Sequence, residues 1–211
     1  SKIAVIGGMK EIAVVTNAKF YSKFDKWRLL APYNKMITLV NDGTISNDTR
    51  LGAIRDIELA LDNTGADDDM LVVAGDNLFD FDISLFMDFA KSHSDGVSIA
   101  LYDVRDISQA SKYGIVKIDE RCRVIDFQEK PSEPKSTLSS TGIYYFPKNK
   151  LSFIKEYVKM QNKLDAPGYY IGWLSQTDNV YGFTFKEDWY DIGSLESYKK
   201  ADDDYNKKEK S

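Results

Sequence analysis

Apolar residues cluster most sharply in the middle of the chain, in MLVVAGDNLFDFD (70–82), where Leu71 to Ala74 run without a polar break and stop at Gly75-Asp76-Asn77. An unbroken apolar run closed by a turn predicts a strand buried on both faces of a parallel sheet. Ligands of open α/β sheets bind beyond the carboxyl ends of the strands, which makes Asp76 a candidate functional residue. The stretch itself supports equally well a plain turn leading to a helix capped by Asp82.

The same patterning predicts strands at 12–16, 36–40 and 97–102, and helices at 18–27, 49–62 and 83–91. Phe20, Phe24 and Trp27 recur at helical spacing and predict a stripe packed into the core. Ser46, Asn47 or Asp48 could cap the 49–62 helix, whose N-terminus suits an anionic or polar ligand. Ile3 and Ile6 before Gly7-Gly8 read as the end of a helix with a glycine stop. Strand-helix alternation up to Tyr102 predicts a parallel α/β sheet. From Tyr113 the texture changes to strands at 114–119, 124–130, 140–146, 180–185 and 189–192, with helices at 150–158, 170–174 and 195–204. The ADDDYNKKEKS tail reads as a solvated charge run. No repeat or linker divides the chain, so one domain over 1–211 is expected.

Composition then removes several chemistries. With 43% apolar residues among 211, a real core is expected. A net charge of −5 and the lack of a long basic block argue against nucleic acid. One cysteine, Cys122, and one histidine, His93, exclude a disulfide framework and argue against a Cys/His zinc site. His93 lies at a predicted helix end, an ordinary structural position. DNTGADDD (62–69) lacks the spacing of a calcium loop. There is no signal peptide and no apolar run of ~18 residues, so no membrane partner and a cytoplasmic setting are expected.

Three chemistry-bearing positions close strands: Asp76 in GDN, Asp191 in WYDIG, and Glu129-Lys130 in QEKP. Magnesium commonly takes one or two carboxylates and fills its shell with water and phosphate oxygens. Phosphoryl-type transfer asks for positioning and charge neutralisation more than for a strong base. Two aspartates and a lysine are therefore enough for a magnesium-phosphate site if the fold brings them together. As isolated residues they read equally as a turn cap and a surface lysine.

The order of motifs resembles the sugar-1-phosphate nucleotidyltransferase family, especially its glucose-1-phosphate thymidylyltransferase-like members. The matching stretches are KEIAVVTN (10–17), TISNDTRLGAI (44–54), VVAGDNLF (72–79), KYGIVKID (112–119), FQEKP (127–131), STGIYYF (140–146), DAPGYYIGWL (165–174) and WYDIGSLESYKKA (189–201). The resemblance implies a Rossmann-like, mixed, mostly parallel sheet flanked by helices, with a β-rich sugar-binding half. It implies transfer of a nucleotidyl group, dTMP or UMP, from an NTP to a hexose 1-phosphate with release of pyrophosphate. By the same resemblance Asp76 and Asp191 hold Mg2+, and Lys130 binds the sugar phosphate. Gly52 lets the base approach, while Gly114, Glu129 and Thr141 contact the sugar. NTP and sugar 1-phosphate are the implied partners, and a homo-oligomer is common in the family.

The chain departs from the pattern in one respect: the family's glycine-rich GxGTRL loop and the strand before it have no counterpart here. On that comparison the 211-residue chain alone is expected to have little transferase activity. A non-catalytic sugar-phosphate or NDP-sugar binding module is the alternative. A generic α/β phosphotransfer or hydrolase domain fits the FQEKP and WYDIG pair less well.

Overall fold

The computed structural model describes residues 6–160 and 164–208. The reading of residues 1–8 as the end of a helix with a glycine stop lies outside them for residues 1–5; within them, Ile6 is not helical and Gly7-Gly8 form a turn. In chain order the elements are β1 (Ile12–Thr16), α1 (Ala18–Leu30), β2 (Ile37–Asn41), α2 (Ala53–Thr64), β3 (Met70–Val73), β4 (Asn77–Phe79), α3 (Ile83–Ser92) and β5 (Val97–Asp103). There follow α4 (Ile107–Ala110), β6 (Gly114–Ile118), β7 (Val124–Glu129), β8 (Leu138–Phe146), α5 (Ser152–Lys159), α6 (Pro167–Thr177), β9 (Val180–Phe185), β10 (Trp189–Asp191) and α7 (Leu195–Lys208).

The sheet is organised on β8. One edge of this strand pairs with β5, and β9 continues the sheet beyond it in parallel. The other edge is shared. Its first residues pair with β6, which carries β7, and its last residues, Ile143 to Phe146, pair with β3. Gly142 sits at the handover with φ 72°, a conformation open to glycine at little cost. Its carbonyl accepts from Ala74 N at 3.0 Å, so the loop after β3 is fastened where the two halves of the sheet meet.

Side chains alternate across β8 and divide the core. Tyr144 and Phe146 pack with Ile54, Ile154, Tyr157, Tyr170, Ile171 and Leu174 beneath α2, α5 and α6. Ile143 and Tyr145 pack with Phe81, Ile83, Phe86, Ala90 and Phe185 on the face covered by α3. The fold is thus the expected α/β class, a mixed sheet flanked by helices.

Several expectations are corrected. The sheet is not mostly parallel: only β1–β2 and β5–β9 run parallel, and every other strand pairing among the described residues is antiparallel. An apolar run reports burial and not direction, and β8 reverses the local sense by inserting between β3 and β5. β3 itself is half-buried throughout, because among the described residues it pairs with β8 alone. The aromatic stripe of α1 is not core: Phe20, Phe24 and Trp27 are 40%, 38% and 49% exposed. The helix buries no residue completely against the β1–β2 pair. The 49–62 helix starts later, at Ala53 with Gly52 as its N-cap, and Ser46 opens a separate 3-10 turn at Asn47–Thr49. The acidic-basic tail is not simply solvated. α7 runs to Lys208, the Tyr205 hydroxyl donates to Asp80, and Lys208 pairs with Asp80 and Asp188.

Candidate active site

The loop after β3 does more than turn. Asn77 N donates to Ala74 O at 3.2 Å, and the chain then enters β4, a three-residue strand with too short a run to show a period. Asp82 does cap α3, accepting from Ser84 N at 2.9 Å, as the turn-and-cap reading of this stretch expects. β4 pairs antiparallel with β10, which sets Asp191 opposite Asn77 and therefore beside Asp76. Ile192 N donates to Asp76 O at 2.8 Å, and Trp189 Nε1 donates to Asn77 Oδ1. Asn77 Nδ2 in turn donates to Asp76 Oδ1 at 2.9 Å. The two aspartates, far apart in sequence, are carried on one pair of hydrogen-bonded backbones.

Their charges interact. Burial first, and the neighbouring Asp76 carboxylate second, push the Asp191 carboxyl above the usual range, while Lys130 pulls it down. Asp76, Asp191 and Lys130 therefore share one electrostatic neighbourhood. Glu129 is half-buried at the end of β7; burial raises its carboxyl and Lys130 opposes the rise. Lys130 adopts φ 46° immediately before Pro131, where extended backbone is the norm. Its amide donates to Tyr113 O at 3.1 Å, closing the β6–β7 pairing.

The remaining expected residues divide. Gly114 faces Glu129 across the β6–β7 ladder, within the site. Gly52 is buried with φ 92°, and a Cβ there would lie 2.6 Å from Leu164 O and 2.9 Å from Asp165 N. The close approach it permits in this structure is by the chain entering α6. The amides of Ala53 and Ile54 donate to Asp165 O and Leu164 O at 3.5 and 3.3 Å, so this helix N-terminus is not free for an anion. Arg50 pairs with Asp165 across the same junction. Thr141 is 1% exposed and its hydroxyl donates to Ala100 O at 3.0 Å, so this side chain belongs to the core. Sugar contact by that hydroxyl would require breaking the bond.

Sequence reasoning missed the aromatic wall. Tyr113 stands edge-on to Trp189 at 5.3 Å between centroids, and Tyr102 lies 5.6 Å from the same indole. Burial and then Asp191 raise the Tyr113 phenol, which sets it beside the carboxylate pair. Tyr144, fully buried, is pushed up to about 12, chiefly by burial and also by Glu129 and Asp76. Tyr113 and Trp189 fall inside the KYG and WYD motifs, and that adjacency was the available signal. His93 is not among these groups: its ring contacts the Phe89 carbonyl at 2.9 Å and stacks on Phe89.

The donor set suits a small hard cation. Two carboxylates with no thiol or imidazole offer oxygen ligands, and the mutual repulsion of Asp76 and Asp191 is what a divalent ion would relieve. Among the described residues no group of three or more His, Cys, Asp or Glu side chains forms a metal cage. An ion completed by water and phosphate oxygens needs none.

Comparison with known proteins agrees with this geometry. The nucleotidyl transferase family model matches residues 2–208, and the chain belongs to that family. It is 36% identical over 134 residues to glucose-1-phosphate adenylyltransferase of Thermosipho africanus (strain TCF52B), covering 61% of this chain and 32% of the relative. The chain thus spans about a third of that relative's length. Its fold is similar to a Bacillus anthracis protein assigned as a glucose-1-phosphate thymidylyltransferase and solved with a sucrose. There the TM-score is 0.73 and the identity 22%, over 91% of this chain and 74% of that one. It is also similar to UDP-glucose pyrophosphorylase complexed with UDP-glucose, with a TM-score of 0.74 and 19% identity over 94% of this chain and 81% of that one. No helix among the described residues is long and apolar enough to cross a membrane.

Proposed function

We propose that this chain carries the sugar-phosphate half, and the cation-holding carboxylates, of an enzyme that transfers a nucleotidyl group from an NTP to a hexose 1-phosphate. The observation that carries the reading is the convergence of Asp76, Asp191 and Lys130 at the point where β8 passes from β6 to β3. The attacking group in such a reaction is a phosphate oxygen, anionic at neutral pH, so no histidine base is required, and His93 is packed on Phe89. Lys130 would neutralise the sugar phosphate, and Glu129 would accept hydrogen bonds from sugar hydroxyls. Asp76 and Asp191 would hold Mg2+, which when bound supplies charge neutralisation and alignment of the phosphates. The Tyr113–Trp189 wall would keep water from that side of the reacting groups.

The transferred group is proposed as dTMP or UMP on the thymidylyltransferase-like motifs. The adenylyltransferase relative makes ATP the necessary comparison. Substrates of this kind go with a cytoplasmic setting. The test is pyrophosphate release by the protein carrying this sequence, with Mg2+, glucose 1-phosphate and each NTP in turn. Release with dTTP or UTP, together with NDP-glucose formation, is expected of a longer protein that carries this sequence with a glycine-rich phosphate loop, and little release is expected of residues 1–211 alone. Binding of NDP-sugar without release under any NTP would favour the binding-module alternative.

A further inference from the structure

This inference rests on the sugar-phosphate reading of Glu129 and concerns what holds its carboxylate in place. Gly168 is buried in the first turn of α6, directly after Pro167. A Cβ placed on Gly168 would fall 1.7 Å from Glu129 Oε2, 2.8 Å from its Cδ and 3.0 Å from the Phe127 ring. From the other side, a Cβ on Gly114 would fall 2.7 Å from the Phe127 ring and 3.1 Å from Glu129 Oε2. One turn along α6, a Cβ on Gly172 would make only ordinary contact with Phe127, at 3.5 Å. The carboxylate and the ring are thus wedged between two stretches of backbone that carry no side chains. Neither Gly114 nor Gly168 has a positive φ, so space and not backbone conformation demands glycine at both.

Among the described residues no hydrogen bond holds the Glu129 carboxylate, and its place is set by shape. We propose that Gly168 is a positioning residue: the volume of its absent side chain is where the Glu129 carboxylate sits, and this fixes the acid's reach toward a hexose hydroxyl. A methyl group at 168 cannot coexist with the carboxylate as placed. Glu129 must swing out or α6 must lift from β7, and either movement displaces the sugar-binding acceptor. Gly114, on the opposite side of the carboxylate, is a sugar contact by resemblance; Gly168 had no such assignment, because a glycine inside a helix signals nothing by itself.

The test is a double-mutant cycle with Gly168→Ala, Glu129→Ala and the pair combined. Glucose 1-phosphate binding is read by calorimetry, and melting temperature is read without ligand. Each single substitution should weaken glucose 1-phosphate binding by about tenfold, the loss of one charge-assisted hydrogen bond. The combined variant should bind no worse than Glu129→Ala alone, and most of the melting-temperature loss caused by Gly168→Ala should disappear in that background. A helix glycine with a merely structural role would give additive losses in both measurements, and additivity would overturn the proposal. So would wild-type binding by Gly168→Ala where Glu129→Ala binds weakly. Binding absent from the unaltered protein, or indifferent to Glu129→Ala, would overturn the sugar-site reading itself and this inference with it.

Discussion

The amide of Ile192 donates to the carbonyl of Asp76 at 2.8 Å. That bond extends the β4–β10 ladder by one residue and locks the two carboxylate-bearing segments together through their main chains. The main chain thus carries the junction, and the one side-chain bond, from Asn77 Nδ2 to Asp76 Oδ1, keeps an oxygen acceptor in an asparagine, so Asp→Asn at either position should leave the fold intact. Asp76→Asn and Asp191→Asn should each lower turnover by about 100-fold or more, with the circular dichroism spectrum unchanged. Chelation of Mg2+ should produce a loss of the same order. Steady-state assays of both variants check this, and wild-type rates in both would refute the metal assignment.

Lys130, the proposed sugar-phosphate ligand, sits in a left-handed conformation. A lysine at φ 46° costs roughly 1–2 kcal/mol relative to ordinary backbone, and the following proline adds to the mismatch. Lys130→Gly and Lys130→Ala both remove the charge, but only glycine relieves the backbone. The glycine variant should be the more stable of the two by about 1 kcal/mol, while both lose sugar 1-phosphate affinity equally. Urea unfolding of the pair, with binding measured alongside, separates the two effects.

Gly52 joins the start of α2 to the chain entering α6. Its φ of 92° and the 2.6 Å that a Cβ would leave to Leu164 O are both incompatible with a side chain. Gly52→Ala should cost about 2 kcal/mol, from backbone strain and displacement of the 164–165 segment. In a protein of this size that is a melting temperature lower by roughly 4–8 °C. Calorimetric scans check it; an unchanged melting temperature would mean that this junction yields without cost.

Asp56, in the first turn of α2, gives a pH dependence of its own. Its Oδ1 is buried without a hydrogen-bond partner, and burial first, then Asp42, push the carboxyl up to about 6 from 3.8. The unfolded chain releases this proton near 3.8, whereas the folded protein retains it until about 6. The folded state is thus favoured by the protonated acid at low pH, and that advantage is lost as pH rises through this window. Asp56→Asn should leave stability unchanged below the window and raise it above, with the gain growing across the window and then levelling. Melting temperatures of both proteins from pH 4 to 8 test the sign directly.

Much of this architecture was legible in the chain. The long elements announced themselves by period, and Asp76, Lys130 and Asp191 by their place at strand ends. Strand direction was not legible, because Leu71 to Ala74 look the same beside a parallel or an antiparallel neighbour. The fate of Phe20, Phe24 and Trp27 was not legible either: helical spacing defines a face, and what covers that face is decided elsewhere in the fold. The partners of Lys208 lie at Asp80 and Asp188, too distant for a local charge pattern to reveal. β4 is three residues long and became a strand only because β10 arrived to pair with it. The motif that named Thr141 did not show that its hydroxyl is bonded to Ala100 O, a partner 41 residues away in the chain.

The central claim is that Asp191, in the β4–β10 pair, and Asp76, immediately before β4, hold the divalent cation that binds nucleotide and sugar phosphates. Its most direct test is calorimetric titration of the protein with dTDP-glucose and UDP-glucose, with and without Mg2+, repeated on Asp191→Asn. The account predicts binding that Mg2+ strengthens in the unaltered protein and leaves unchanged in the variant. Binding equally strong without the ion, or equally enhanced by it in Asp191→Asn, would contradict it.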